Sequence, residues 1–462
     1  MRTLRLFLGV LLLPLLGSAQ ELAGAWEGTL SFPGGRLRIV FRIAAAETGW
    51  TATMDSPDQG VRGLPVETVE WNGGELRLEM PAFGASYRGM LLPVGLIVGT
   101  LTQADANIPL SLARREAARR PQEPRPPYPY TVREVSFPSR SAGVELAGTL
   151  TLPREGTPRA AVVLVTGSGV QNRDEEVFGH KPFLVIADFL TRRGIAVLRY
   201  DDRGFGVPEA ERQAWAAATT ADLTQDALGA YDFLHAQPET SACRIGILGH
   251  SEGGTIAFAA AAEEPGVGFV VSLAGAMVPG WRASLAQNMR AMELQGMPEE
   301  QRMQCRELLE ACYRVVADHT PEALAAERKT LRKALAATEA GAALPEPLRD
   351  KLLGVVDAAA DSPWIYRFLT HDPASEIVRA GDRPVLALNG SLDRQVDAAE
   401  NLGAVRRLLG GSERLTVKRY EGLNHLFQPC TTGDVGEYER IEVTVAPEVL
   451  DDLAAWIESV AQ

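Results

Sequence analysis

The pentapeptide G-H-S-E-G at residues 249–253 is the stretch from which the rest of the sequence can be interpreted. The residues before it, C-R-I-G-I-L at 243–248, are typical of a short buried strand. The residues after it, G-T-I-A-F-A-A-A-A at 254–262, are typical of a helix that is apolar on all sides. A strand, the pattern G-x-S-x-G and a helix, in that order, predict a nucleophile elbow with Ser251 at its tip.

The geometry of such an elbow explains its residues. Gly249 and Gly253 remove side chains that would collide with the neighbouring strand and helix, so the chain can turn sharply. The Ser251 hydroxyl is then expected at the carboxyl edge of a parallel sheet and at the amino end of a helix. Free N–H groups and the helix dipole favour a developing oxyanion there. The alternative is a chance match in a chain with 44 glycines, and the flanking strand and helix argue against it.

Composition limits the class of protein. The 462 residues predict two or three domains, and a hydrophobic content of 46% is enough to form a core. The net charge of −13 argues against nucleic acid or an anionic membrane surface as a partner. Four cysteines without a C-x-x-C pair predict neither a disulfide scaffold nor a metal site. Their redox state and the oligomeric state of the chain are left open.

The first residues have the pattern of an export signal. Arg2 and Arg5 precede an apolar stretch at 6–16, which is too short to span a bilayer, and small residues follow at 17–19. We therefore expect residues 1–19 to be a signal peptide and the mature protein to be secreted or periplasmic. No later apolar run reaches membrane-spanning length.

Hydrophobic periodicity divides the remaining chain. Residues 20–113 contain about eight short alternating runs between glycine-rich turns, which predict a small all-β barrel or sandwich. Residues 114–130, rich in proline and arginine, predict an extended linker. Strands and helices alternate over 131–462, which predicts an α/β fold with a mostly parallel sheet and helices on both faces. Helical character at about 276–375 predicts an inserted cap.

Two roles are open for the β-domain and the cap. The β-domain contains no histidine or cysteine, so it is either a packed domain that positions the rest or a pocket for an apolar ligand. The cap offers apolar and aromatic side chains that either line the site or pack the cap's own core. These residues are Trp281, Met289, Met292, Tyr313, Trp364 and Tyr366.

A serine nucleophile needs a base, and the base needs an acid that orients it. In this architecture the three follow the chain order serine, acid, histidine. His425 is the only histidine after the strand predicted at 385–389, and Asp393 follows that strand directly. Asp397 is the alternative acid, although it is expected to cap the next helix. We predict a catalytic triad of Ser251, Asp393 and His425.

An oxyanion hole needs two backbone N–H donors. The N–H of Glu252 follows the nucleophile directly and is the first candidate. The second is expected in the loop T-G-S-G at 166–169, where glycines permit close approach to a substrate. Ser168 is the predicted donor, and Gly169 is the alternative.

Two charged stretches, 172–176 and 200–204, either contact substrate or form salt-linked loops that hold the oxyanion strand, and the second interpretation is favoured. His371, in H-D-P at the end of the insertion, is a further candidate for the pocket wall. The sequence contains no phosphate loop, no dinucleotide fingerprint and no H-E-x-x-H motif. We therefore predict no cofactor and no metal.

Residues 131–462 resemble the α/β-hydrolase superfamily, in particular exported bacterial esterases with a prolyl-oligopeptidase-like or dienelactone-hydrolase-like catalytic domain. The matching stretches include VTGSG at 165–169, GHSEGG at 249–254, LALNGSLDRQV at 386–396 and LNHLFQ at 423–428. The resemblance implies the same triad. This sequence departs from dienelactone hydrolases at Ser251, where those enzymes have cysteine. It also departs from the resembled family at His371, where that family often has tyrosine.

These observations together predict a serine esterase that cleaves a small-molecule carboxylic ester with a short acyl chain through an acyl-enzyme. One alternative is a serine peptidase or aminopeptidase of the prolyl-oligopeptidase type, although about 90 β-rich residues are too few for a propeller. Another is a non-catalytic protein that binds a ligand through its β-domain.

Overall fold

The structure, a computed structural model, describes residues 22–32, 35–46, 48–59, 61–104, 106–115, 119–207 and 217–461. The predicted signal peptide at 1–19 lies outside the described residues. The chain divides into an N-terminal unit, Met1–Arg119, and a C-terminal unit, Arg120–Gln462.

The N-terminal unit is one antiparallel sheet in the order β4-β3-β2-β1-β9-β8-β7-β6-β5. Its strands are β1 Gly24–Phe32, β2 Gly35–Ala45, β3 Trp50–Ser56, β4 Val61–Val66, β5 Thr68–Asn72, β6 Glu75–Met80, β7 Ala85–Leu91, β8 Leu96–Gln103 and β9 Ala106–Arg115. Strand β3 contacts β5, and β4 contacts β6, so the sheet curls until its two ends meet in a barrel-like form. Large buried side chains such as Trp26, Phe41 and Tyr87 fill the interior, which favours a packed domain over an apolar ligand pocket.

The structure describes contacts of two parts of the segment predicted as a linker, 114–130. Strand β9 continues to Arg115, which pairs with Ala25 on β1. Further along the segment, the Arg120 guanidinium donates to the carbonyl oxygens of Gly179 at 2.8 Å and Ile441 at 3.0 Å. These hydrogen bonds attach the chain at Arg120 to the C-terminal unit. They could not be predicted from the sequence, because the two carbonyl oxygens are far from Arg120 along the chain.

The C-terminal unit is built on an eight-stranded sheet in the order β10-β11-β13-β12-β14-β15-β16-β17. Its strands are β10 Tyr130–Pro138, β11 Glu145–Pro153, β12 Ala160–Val165, β13 Ile195–Tyr200, β14 Arg244–His250, β15 Phe269–Leu273, β16 Val385–Gly390 and β17 Leu415–Tyr420. The pairs β10–β11 and β11–β13 are antiparallel, and all other pairs are parallel. The predicted α/β fold with a mostly parallel sheet is confirmed.

Helices cover both faces of this sheet. They are α1 Pro182–Arg192, α2 Thr220–Ala236, α3 Glu252–Glu263, α4 Gly280–Leu294, α5 Glu299–Asp318, α6 Pro321–Ala336, α7 Glu339–Ala343, α8 Glu346–Asp361, α9 Pro363–Thr370, α10 Ala374–Ala380, α11 Ala398–Leu409, α12 Val435–Tyr438 and α13 Pro447–Val460. Strand β12 (A-A-V-V-L-V) is buried throughout. Its alternate side chains belong to two hydrophobic clusters, one shared with α2, α3, α10 and α11 and the other with α1 and α13. This two-sided burial explains its continuous apolar run.

Helices α4 to α9 form the cap, which is inserted between β15 and β16. The cap has a hydrophobic core of its own, in which Leu308, Val316 and Val356 are fully buried. All four cysteines, Cys243, Cys305, Cys312 and Cys430, are free thiols. In the described part of the chain, no helix combines the length and the apolar character that a bilayer span requires.

Candidate active site

Ser251 occupies the sharp turn between β14 and α3, with φ 53° and ψ −120°. This is a left-handed conformation that a residue with a side chain rarely adopts. The two motif glycines make the turn possible. A Cβ at Gly249 would lie 1.8 Å from the Gly253 carbonyl oxygen, and a Cβ at Gly253 would lie 2.2 Å from the Val165 carbonyl oxygen.

His425 and Asp393 are hydrogen-bonded to each other. The Nδ1 atom of His425, in the loop after β17, lies 2.7 Å from Oδ2 of Asp393, in the loop after β16. The other carboxylate oxygen of Asp393 accepts the N–H groups of Gln395 and Val396, both at 2.8 Å. Both side chains are buried. The carboxylate is thereby fixed, and it can hold the imidazole with its Nε2 atom free for proton transfer.

Asp397, the alternative acid, has a different role. Its carboxylate accepts the Glu400 N–H at 2.7 Å and caps α11. This cap was expected from the sequence, and it leaves Asp393 as the acid in contact with His425.

His425 is held next to the elbow through His250, the residue before Ser251. The His250 Nε2 atom lies 3.0 Å from the His425 carbonyl oxygen, and the two rings are 4.6 Å apart. Among the described residues, no hydrogen bond joins the Ser251 hydroxyl to His425. In unliganded active sites this contact is often long and tightens only with substrate.

The loop at 166–169, called the oxyanion loop below, runs past Ser251. A Cβ on Gly167 would lie 3.1 Å from the Ser251 Cβ, so only glycine permits this approach. The Gly167 N–H already donates to Oε1 of Glu175 at 2.9 Å. The next N–H along the loop belongs to Ser168. Glu252 is the first residue of α3, and an N–H at that position has no partner inside its own helix.

The two charged stretches hold the oxyanion loop, as favoured from the sequence. The Asp202 carboxylate accepts the Thr166 hydroxyl at 2.7 Å and the Gln171 N–H at 2.8 Å. Arg173 donates to Asp201 from its backbone at 2.7 Å and from its guanidinium at 2.6 Å. The oxyanion loop is therefore held by two buried carboxylates, Asp202 at Thr166 and Glu175 at Gly167, while Arg173 and Asp201 join the two charged stretches to each other.

Burial raises the pKa of Asp202 to about 7. Between pH 4 and pH 7 the folded protein keeps this proton while the unfolded chain, with a carboxyl pKa of about 3.9, has lost it. The contribution of Asp202 to the free energy of unfolding therefore falls as pH rises through this window and is constant above it. The variant Asp202→Asn mimics the protonated acid, since its amide can accept from Gln171 and donate to the Thr166 hydroxyl. We expect its stability relative to the wild type to increase by about 2–4 kcal/mol between pH 4 and pH 8.

Thermal unfolding of the wild type and Asp202→Asn at both pH values checks this expectation. A difference in Tm that is the same at both pH values would contradict the raised pKa.

A cavity of about 400 Å³ opens between the oxyanion loop and the cap. It is lined by Ser168, Gly169, Val170, Asp202, Arg203, Ala218, Leu223, Ser362 and Trp364. Of the six cap residues considered from the sequence, Trp364 alone is among these lining residues. Met292 and Tyr313 belong to the core of the cap, and Met289 and Tyr366 pack against it. Trp281 is partly exposed.

The Glu252 side chain joins the cap to the elbow. The Trp364 indole N–H, on α9, lies 3.1 and 3.3 Å from its two carboxylate oxygens, and the Thr220 hydroxyl donates at 2.7 Å. His371 lines a second cavity of about 20 Å³ with Glu252 and does not line the larger one. Burial lowers the pKa of His371. The sequence indicated only the backbone role of Glu252, because this contact spans 112 residues.

Comparisons with known proteins find that the chain is similar to hydrolases. Residues 156–334 match the family model described as serine aminopeptidase, S33. Esterase EstD from Thermotoga maritima is 28% identical over 316 residues, or 68% of this chain. The matched region spans 65% of the length of that relative.

Solved structures also align with the chain. The esterase domain of a Rhodothermus marinus protein is 18% identical, over 71% of this chain and 98% of its own, with a TM-score of 0.38. A dienelactone hydrolase from Anabaena variabilis is 16% identical, over 72% of this chain and 100% of its own, with a TM-score of 0.39. By its sheet order and its elbow, the chain has the α/β-hydrolase fold.

Proposed function

We propose that the protein is a serine hydrolase that cleaves carboxylic esters with short acyl chains. The observation that carries the proposal is the hydrogen-bonded pair of Asp393 and His425, held next to a strained serine at the carboxyl edge of the sheet. The loops after β12, β14, β16 and β17 meet at this edge, and ligands bind at the carboxyl ends of strands in open α/β sheets.

In the proposed mechanism, the Ser251 hydroxyl attacks the ester carbonyl carbon while Nε2 of His425 takes its proton. Asp393 holds the Nδ1–H and stabilises the imidazolium. The N–H groups of Ser168 and Glu252 donate to the oxyanion. His425 then protonates the leaving alkoxide, and water hydrolyses the acyl-enzyme by the same route in reverse.

The cavity next to the oxyanion loop supports a short acyl chain as the substrate group. Its volume of about 400 Å³ is at the small end of ligand pockets, and Trp364 closes it on the cap side. Because Glu252 holds the indole by a hydrogen bond, the ring is a fixed wall of the cavity.

We therefore expect Trp364→Ala to lengthen the preferred acyl chain. The ratio of kcat/KM for p-nitrophenyl octanoate to that for the butyrate ester should rise about 10-fold, which is the effect of roughly one or two additional buried methylenes. Trp364→Phe keeps most of the volume without the N–H and should stay near the wild-type ratio. Trp281→Ala is the matched control, because this cap tryptophan is 38% exposed and does not line the cavity. An unchanged ratio in Trp364→Ala would contradict the assignment of this cavity.

An aminopeptidase is the second candidate, and one observation favours it. The Glu252 carboxylate is buried, and no salt bridge to lysine or arginine is found for it within the described residues, so it could attract a substrate ammonium. The two carboxylate oxygens, however, already accept hydrogen bonds from Trp364 and Thr220. These bonds satisfy much of the hydrogen-bonding capacity of the Glu252 carboxylate.

A substrate panel separates the two candidates. We expect rapid hydrolysis of p-nitrophenyl acetate and butyrate and negligible release of p-nitroaniline from alanyl and prolyl p-nitroanilides. Faster hydrolysis of the aminoacyl amides than of the butyrate ester, lost on Glu252→Gln, would support the aminopeptidase and contradict the esterase.

A further inference from the structure

A second buried ionisable pair lies beneath the proposed triad. The Nδ1 atom of His250 lies 2.8 Å from Oε1 of Glu175, and its Nε2 atom lies 3.0 Å from the carbonyl oxygen of His425. His250 is 6% exposed and Glu175 is 2% exposed. The mechanism above uses neither side chain, although both directly contact parts that it does use.

Both nitrogen atoms of the His250 ring contact acceptors. A carbonyl oxygen can only accept, and so can an ionised carboxylate. A neutral imidazole has one N–H, whereas an imidazolium has two, and two are needed for both contacts. Burial lowers the pKa of His250, but the charge and the hydrogen bond of Glu175 outweigh this effect, so the net pKa is raised.

Glu175 is held in place by its own loop. Its backbone is in the left-handed region, with φ 52°, and its N–H donates to the Asn172 carbonyl oxygen at 2.9 Å. The neighbouring residues form ion pairs with residues in and just after β13, Arg173 with Asp201 and Asp174 with Arg199. The Glu175 side chain is thereby fixed pointing inward, where Oε1 also accepts the Gly167 N–H.

We infer that the His250–Glu175 pair positions the three catalytic loops relative to one another. Through Glu175 it holds Gly167 of the oxyanion loop, through the chain it is joined to Ser251, and through Nε2 it holds the backbone of His425. This inference rests on the proposed function, since it concerns the loops that carry the proposed triad. His250 and Glu175 are positioning residues, because they act through their neighbours.

The pair also affects the charge around His425. The charged and titratable groups that face His250 are Glu175, Asp393 and His425 itself, and Asp202 lies near Glu175. An imidazolium with its counter-carboxylate adds no net charge to this region. Removing only the imidazolium leaves the Glu175 carboxylate unbalanced, and a buried negative charge favours the protonated form of His425.

Three variants test the inference, namely His250→Gln, Glu175→Gln and the double variant. We expect His250→Gln to lower kcat 10- to 100-fold with little change in KM, because a misaligned base lowers the rate more than binding. The acid limb of its kcat/KM profile should move to higher pH by about half a unit or more. In the double variant, which is uncharged at both positions, the acid limb should return to its wild-type position.

A matched control is available in His180. This histidine is also buried, with both ring nitrogens in contact with oxygen atoms of Thr444 and Tyr438, at 3.0 and 2.9 Å. Burial lowers its pKa to about 4, so it is neutral at pH 7. His180→Gln should lower Tm without moving the acid limb.

The protonation state can also be measured directly. In ¹⁵N-labelled protein at pH 7, both ring nitrogens of His250, assigned from the signals lost in His250→Gln, should carry a proton. A neutral ring, or an acid limb in His250→Gln that coincides with the wild type, would overturn the inference. Suppose that the wild type hydrolyses esters through Ser251, and that the His250 and Glu175 variants have the same kcat and the same acid limb as the wild type. In that case only this inference fails. If the wild type has no serine-dependent activity, the proposed function fails, and the NMR measurement still decides the state of His250.

Discussion

Replacing Ser251 with alanine is expected to lower kcat for p-nitrophenyl butyrate by about 10⁴-fold or more. The residue has a strained backbone that only the fixed turn between β14 and α3 maintains, and its hydroxyl is the nucleophile of the proposed mechanism. His425→Ala should have a similar effect, because the serine hydroxyl is a weak nucleophile without its base. The double variant should be no slower than either single variant, since the two groups act as a unit.

Two checks make this result specific. Circular dichroism and Tm of Ser251→Ala should match the wild type, which excludes unfolding as the cause. Ser459→Ala, in the exposed last turn of α13, is the matched control and should keep full activity. A Ser251→Ala variant with more than about a tenth of the wild-type kcat would contradict the assignment of the nucleophile.

The second large effect is expected for Asp393→Asn, with a fall in kcat of about 10²- to 10⁴-fold. The asparagine oxygen can still accept the N–H groups of Gln395 and Val396, but its NH₂ group then faces Nδ1 of His425. That contact favours the tautomer with its proton on Nε2, and this tautomer cannot take the proton of Ser251.

Asp397→Asn is the control for this prediction. Asparagine caps a helix about as well as aspartate, so we expect a change in the free energy of unfolding below about 0.5 kcal/mol and no change in kcat. A severe loss of activity in Asp397→Asn together with a mild one in Asp393→Asn would show that the acid has been misassigned.

The fold could be predicted from the sequence because its signals are local. The apolar run at Ala160–Val165 and the pattern G-x-S-x-G each specify a strand or a turn within a few residues. Asp393 and His425 could be predicted because parallel strands bring the loops after them to one edge. Their contact at 2.7 Å follows from the topology, although 32 residues separate them.

The parts that could not be predicted are contacts between distant side chains. In the sequence, Glu175 is one of several charged residues in the stretch 172–176. Only the fold shows that its side chain points inward and contacts His250, which is 75 residues away. Trp364 was one of six candidates in the cap. Trp364 is held at the cavity by its hydrogen bond to the Glu252 carboxylate, and the hydrophobic periodicity of the sequence does not predict that contact.

The central claim is that Ser251 is an activated nucleophile, and covalent labelling tests it most directly. The purified protein is incubated with a fluorophosphonate probe, and its intact mass and peptides are then measured. We predict one adduct per chain, located on Ser251, and no adduct in Ser251→Ala or after heat denaturation. An unmodified wild-type chain, or a single adduct on another residue, would contradict the account and favour a non-catalytic protein or a different site.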